Sequence, residues 1–113
     1  MFVNTPDFDS LWKSAGLSDD DLRVLESELL ENPAKGNVIP GTCSLRKLRF
    51  KIPGKGKRGG IRVLYVDFPK YYELHFIYLI KKNEQENITA QDKKIIYKII
   101  KQIESNLRSK YKI

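Results

Sequence analysis

Leu45-Arg46-Lys47-Leu48-Arg49-Phe50-Lys51-Ile52, then a glycine-rich run to Gly60, then Ile61-Arg62-Val63-Leu64-Tyr65-Val66-Asp67-Phe68, is the stretch that decides the fold. In its first eight residues Lys47, Arg49 and Lys51 alternate with Leu48, Phe50 and Ile52, with Arg46 at the mouth. That period of two predicts a strand with one charged and one apolar face. Residues 53–60 (Pro-Gly-Lys-Gly-Lys-Arg-Gly-Gly) predict a long hairpin loop that presents Lys55, Lys57 and Arg58 outward. Residues 61–68 predict the returning strand. Residues 71–82, rich in aromatic and β-branched side chains, predict a third.

Outward from this hairpin the chain turns helical on both sides. Thr5-Pro6 predicts an N-cap with proline at the first helical position, opening a helix through Phe8, Leu11 and Trp12 that ends near Gly16. A short strand at Phe2-Val3 is expected before it. Ser18-Asp19-Asp20-Asp21 has capping-box spacing. The helix it starts carries Leu22, Leu25, Leu29 and Leu30 as its apolar face until Asn32-Pro33 stops it. Residues 34–44 are turn-rich. After the third strand, Thr89-Ala90-Gln91-Asp92 caps a last helix with the stripe Ile95, Ile96, Ile99, Ile100, Ile103 and Leu107. Helix, helix, strand, strand, strand, helix predicts an α+β fold: an antiparallel sheet with an N-terminal helical pair and a C-terminal helix packed on one face. At 113 residues this is one domain, residues 1–113.

The composition, 41% hydrophobic and 31% charged, suits a compact fold and excludes a disordered chain. No apolar run reaches membrane-spanning length, so no membrane association is expected. The first residues lack the basic and apolar regions of a signal peptide. One cysteine, Cys43, cannot close an internal disulfide, and a cytoplasmic location is therefore expected.

The net charge of +7 is unevenly placed. Residues 1–44 hold three basic residues against eight acidic ones, and residues 45–113 hold the other 18 basic and six acidic. A basic half on a folded domain points to a polyanionic partner. The candidates are Arg46, Lys47, Arg49 and Lys51 on the first strand, Arg62 at the start of the second, and Lys81-Lys82 at the end of the third. Like charges gathered on one sheet cost stability, and an anionic ligand relieves that cost. Tyr65, Tyr71, Tyr72 and Tyr78 are close enough in sequence to offer stacking surfaces for bases, with one of them expected to touch RNA.

Other chemistries find little support. One His and one Cys, thirty-two residues apart, offer no metal-ligand spacing, so no metal and no cofactor are expected. His75, in mid-strand with no acid or nucleophile spaced for catalysis beside it, reads as structural. Cys43 has no nucleophile context. The loop at residues 54–60 lacks the spacer and Lys-Ser/Thr pair of a nucleotide-binding P-loop, and no helix follows it. Clustered cations alone can still cleave RNA. A 2′-oxygen attacks the adjacent phosphorus, fixed Arg and Lys groups stabilise the growing phosphoryl charge, and a lysine among like charges moves a proton.

The combined block of Leu45-Arg46-Lys47-Leu48-Arg49, residues 54–65 (Gly54 through Tyr65) and Lys81-Lys82-Asn83-Glu84 before a Thr-capped helix resembles the RelE/HigB toxins of bacterial toxin–antitoxin modules, in the RelE/ParE superfamily. Asn32-Pro33, Gly36-Asn37-Val38-Ile39 and Gly41-Thr42 are similar to the HigB-like branch. The likeness spans residues 28–100. It implies a RelE-like fold and a metal-independent endoribonuclease that cuts messenger RNA in the translating ribosome. It also implies a cognate antitoxin carrying a helix-turn-helix, with operator DNA met only through the antitoxin complex. By position, the family's basic strand residues match Lys47 and Arg49, and its arginine on the next strand matches Arg62. The arginine and tyrosine that follow the third strand are replaced by Asn83 and Thr89, with Lys82, then Lys81 or Glu84, as substitutes. The expected catalytic set is Lys47, Arg49, Arg62 and Lys82. Arg46, Lys51, Lys55, Lys57, Arg58 and Lys81 are expected to bind RNA or ribosome. The rival readings are a ParE-type poison of DNA gyrase and a non-catalytic RNA-binding homologue.

Overall fold

The computed structural model describes residues 1–54, 60–81 and 88–112. Among them the chain runs β1 (Phe2–Asn4), α1 (Pro6–Ser14), α2 (Asp19–Glu31), β2 (Asn37–Val38), β3 (Arg46–Lys51), β4 (Gly60–Phe68), β5 (Glu73–Lys81) and α3 (Ala90–Lys110), with a 3-10 turn at Pro69–Tyr71. The fold is α+β, with the helical pair and the C-terminal helix expected from the sequence.

The local signals work as their chemistry requires. Thr5 Oγ1 accepts from the Phe8 amide at 3.3 Å and starts α1. Ser18 and Asp21 exchange side-chain and backbone hydrogen bonds at 3.1 and 3.0 Å at the head of α2. Thr89 and Asp92 form the same reciprocal box for α3. Each such cap is worth about 1 kcal/mol.

The strands lie in the order β1-β5-β4-β3-β2. β4 sits at the centre and buries both faces, which is why its sequence is almost continuously apolar instead of alternating. On one face Phe8, Trp12, Leu25 and Leu29 of α1 and α2 pack over Leu48, Phe50, Ile61, Val63, Leu74, Phe76 and Leu79. Phe8 stacks on Phe76 with ring centres 4.8 Å apart. On the other face Ile100 and Leu107 of α3 cover Leu64, Val66, Phe68, Ile77 and Ile80.

Several expectations are corrected. The sheet is mixed, because β1 pairs parallel to β5; a three-residue edge strand carries no sequence sign of its direction. The helices lie on both faces of the sheet, and α3 opposes the helical pair. Leu30 is 70% exposed, since it lies about 100° around the helix from Leu29. The turn-rich segment contributes the two-residue β2, and the third strand begins at Glu73, after a left-handed Tyr72 (φ 56°). Within β5, Leu64 faces Tyr78 but Tyr65 faces Phe76, so Ile77 is an extra, bulged residue. Thr5 Oγ1 donates to the carbonyl of this Ile77 at 3.1 Å, so the cap of α1 also pins the bulge.

Candidate functional site

The β3–β4 register decides which cations meet. Arg49 lies directly opposite Arg62, Lys47 opposite Leu64 and Lys51 opposite Gly60. All of these project on the α3 side, because Leu48, Phe50, Ile61 and Val63 occupy the other. β5 extends the same rows: Arg62 is paired with Ile80, and Leu64 with Tyr78. Two rows therefore cross the sheet side by side, Arg49–Arg62–Ile80 and Lys47–Leu64–Tyr78. Paired residues have Cβ atoms about 4.5–5.5 Å apart, and diagonal neighbours about 7–8 Å. Arg49 and Lys51 are exposed, while Lys47 and Arg62 are half-buried. Among the described residues the side chains of Lys47, Arg49 and Lys51 make no hydrogen bond or ion pair.

Two other sequence candidates stand elsewhere. Arg46 pairs with Tyr65 on the face of the helical pair. Its guanidinium donates to the carbonyls of Gly36 at 2.7 Å and Ala34 at 3.1 Å. The Tyr65 hydroxyl donates to the Pro33 carbonyl at 2.7 Å and accepts from the Gly36 amide at 2.9 Å. Burial pushes the pKa of that phenol up, against the opposing hydrogen bond from Gly36. A Cβ on Gly36 would come within 2.9 Å of the Tyr65 ring, so only glycine fits beside it. The Asn32-Pro33 and Gly36-Asn37 segment is thus held down by one tyrosine and one arginine. Lys81 pairs with Ile61 and lies on the face away from Arg62. Lys82, Asn83, Glu84, Lys55, Lys57 and Arg58 fall outside the described residues. Thr89 spends its hydroxyl on the Asp92 amide at 3.0 Å.

His75 is buried and bonds Glu73 Oε1 through Nε2 at 3.0 Å, with its ring edge-on to Phe68. Glu73 Oε2 accepts from Tyr111 at 2.8 Å and Lys110 at 3.4 Å. Burial alone would raise the Glu73 carboxyl. The hydrogen bonds from Tyr111, His75 and Lys110, with the Lys110 charge, outweigh it and hold the pKa below the usual value. This cluster ties the end of α3 to β5, several residues along the strand from Arg62. Of the four tyrosines considered as base platforms, Tyr65 is fully buried and Tyr71 stacks on Tyr111 at 5.6 Å. Tyr72 is exposed in a turn. Tyr78 alone sits on the sheet face of the cation rows.

A cavity adjoining Tyr78 escaped the sequence reading. It is lined by Leu64, Ile77, Ile80, Ile88, Ile95, Ile96 and Ile99, with Asp7 and Asp92 at its polar parts. The available signal was the width of the α3 stripe: Ile95 and Ile99 remain 50% and 40% exposed, more apolar surface than the core consumes. Among the described residues no group of three His, Cys, Asp or Glu is placed to hold a metal ion. Also among them, no helix is long and apolar enough to cross a membrane.

A family model described as the RelE toxin of the RelE/RelB toxin–antitoxin system matches residues 2–112. The chain belongs to the RelE toxin family. This RelE-family protein is accordingly a toxin of a toxin–antitoxin system, a class that generally inhibits translation and acts by endoribonuclease chemistry, and its partner is an antitoxin.

Proposed function

We propose that this toxin is a metal-independent endonuclease of the HigB-like branch that cuts messenger RNA in the translating ribosome. The observation that carries this is the direct opposition of Arg49 and Arg62, with Lys47 on the same face. Two arginines directly opposed across the ladder suit a charge that grows on two phosphoryl oxygens, and the fork of each guanidinium can bridge them. In the reaction the 2′-oxygen forms a bond to phosphorus and the bond from phosphorus to the 5′-oxygen breaks. The 2′-hydroxyl proton must leave, and the 5′-oxygen must gain one. Arg49 and Arg62 hold the phosphoryl oxygens, and Lys47 is our candidate for carrying a proton, assisted by Lys82. Lys51, with Lys55, Lys57 and Arg58 of the hairpin loop, grips flanking phosphates by charge. Lys81 serves as a peripheral contact. Arg46 is reassigned from RNA contact to holding the loop of residues 34–36.

Primer extension on messenger RNA after brief expression tests this. Discrete cuts within translated codons are expected, together with loss of growth arrest in a folded Arg62→Ala variant. Intact messages with DNA-damage signalling point instead to gyrase poisoning. A folded Arg62→Ala variant that remains fully toxic would sink the site assignment.

A further inference from the structure

We propose that the apolar cavity between β5 and α3 receives one nucleobase of single-stranded RNA, stacked on Tyr78, next to the phosphate held by Arg49 and Arg62. The proposal deepens the nuclease reading above and rests on it.

The placement argues for a nucleotide. Tyr78 lies diagonally across the ladder from Arg62, so an aromatic and a guanidinium side chain start from residues about 7–8 Å apart on one face. A nucleotide presents the same two features, a flat base and an anionic phosphate, joined by a sugar. The Tyr78 ring is 41% exposed, and its hydroxyl makes no hydrogen bond among the described residues. Among the described residues no hydrogen bond or ring contact engages this aromatic. Ile95 and Ile99 close the cavity from the α3 side, and a base slides between an aromatic and an aliphatic wall as readily as between two rings. The cavity holds ≈ 280 Å³, just below the range of about 300–1,000 Å³ for drug-sized ligands, a size that suits a single base. A protein partner needs far more surface than one such slot, on the order of 1,000 Å² in total.

The polar groups of the cavity add a preference. Asp92 spends a carboxylate oxygen on the Thr89 amide at 3.4 Å. The Asp7 carboxylate makes no hydrogen bond or ion pair among the described residues, and it lines the same space. An ionised carboxylate only accepts hydrogen bonds. Asp7 therefore selects a base edge that offers N–H groups, with guanine, which carries two adjacent donors, favoured over uracil.

A short single-stranded oligoribonucleotide with one 2-aminopurine provides the probe, because stacking on an aromatic ring quenches its fluorescence. The purified toxin is expected to quench it, Tyr78→Phe to match it, and Tyr78→Leu to bind about tenfold to a hundredfold more weakly without quenching. Thermal melts establish that both variants are folded. Quenching by Tyr78→Leu equal to that of the unaltered protein, or no quenching by the unaltered protein, overturns the proposal. So does a Tyr78→Leu variant that handles RNA normally but resists its antitoxin, which would assign the surface to that protein. Arg62→Ala with undiminished messenger cleavage refutes the cation site instead; the base slot is then judged by quenching, which requires no catalysis.

Discussion

Arg49 and Arg62 oppose each other across β3 and β4, and the pair should repel in a measurable way. Two unit charges about 6 Å apart at a water-exposed surface interact by about 0.7 kcal/mol, within the range of about 0.2–1 kcal/mol known for cross-strand pairs. A double-mutant cycle with Arg49→Gln, Arg62→Gln and the double variant isolates this pairwise energy, whatever other partner Arg62 has. Urea unfolding at 10 mM salt should return an unfavourable coupling of about 0.7 kcal/mol, which corresponds to about 3–5 °C in Tm. At 1 M salt the screening length falls to about 3 Å, and the coupling should approach zero. Inorganic phosphate should raise the Tm of the unaltered protein more than that of either single variant, because the anion bridges the two heads. A coupling of zero, one of the opposite sign, or one indifferent to salt would refute the idea that the fold holds these cations together at a cost an anion relieves.

Tyr65→Phe should destabilise the protein by about 2–4 kcal/mol in denaturant unfolding, because it strips the Gly36 amide and the Pro33 carbonyl of a buried partner. Gly36→Ala should cost about 1–3 kcal/mol in the same measurement, since the new Cβ meets the Tyr65 ring. Glu73→Gln should be less stable than the unaltered protein at pH 7. The native pKa of Glu73 lies below its ordinary value of 4.5, so its stabilisation is complete above about 4.5 and is lost as pH falls through the lower native value. The gap between the two melting curves should therefore close in acid, and a gap that widened there would contradict the assigned direction. Leu30→Glu, on an exposed side of α2, should change stability by less than about 0.5 kcal/mol.

What the sequence disclosed was chiefly local. Thr5-Pro6, Ser18 to Asp21 and Thr89 to Asp92 each complete a cap within four residues, so their chemistry is visible without the fold. The alternation of Lys47, Arg49 and Lys51 likewise fixes a shared face, and the hairpin brings Arg62 to it. The side taken by α3 was not visible, since a stripe of isoleucines fits either face of a sheet whose central strand is apolar on both. The parallel pairing of β1 depends on Phe2 meeting Leu74, seventy-two residues away. Arg46 looked like its basic neighbours because its partners are backbone carbonyls of residues 34 and 36, which carry no side-chain signature.

The extra residue at Ile77 gives β5 a hidden count. Upstream of it, Glu73 and His75 are set by one parity of the strand; downstream, Tyr78, Ile80 and Lys81 are set by the other. Deleting that single residue would leave a regular ladder, with Phe76 still opposite Tyr65, Tyr78 opposite Leu64 and Lys81 opposite Ile61. Deleting Leu79 instead would turn Ile80 toward the α1–α2 core and bring Lys81 opposite Arg62. Point substitutions can thus retune the site one side chain at a time, whereas a one-residue deletion beyond the bulge inverts every side chain that follows it in the strand. Mutational libraries that include single-residue deletions in β5 should show loss of activity concentrated after Tyr78, with loss of Ile77 itself better tolerated.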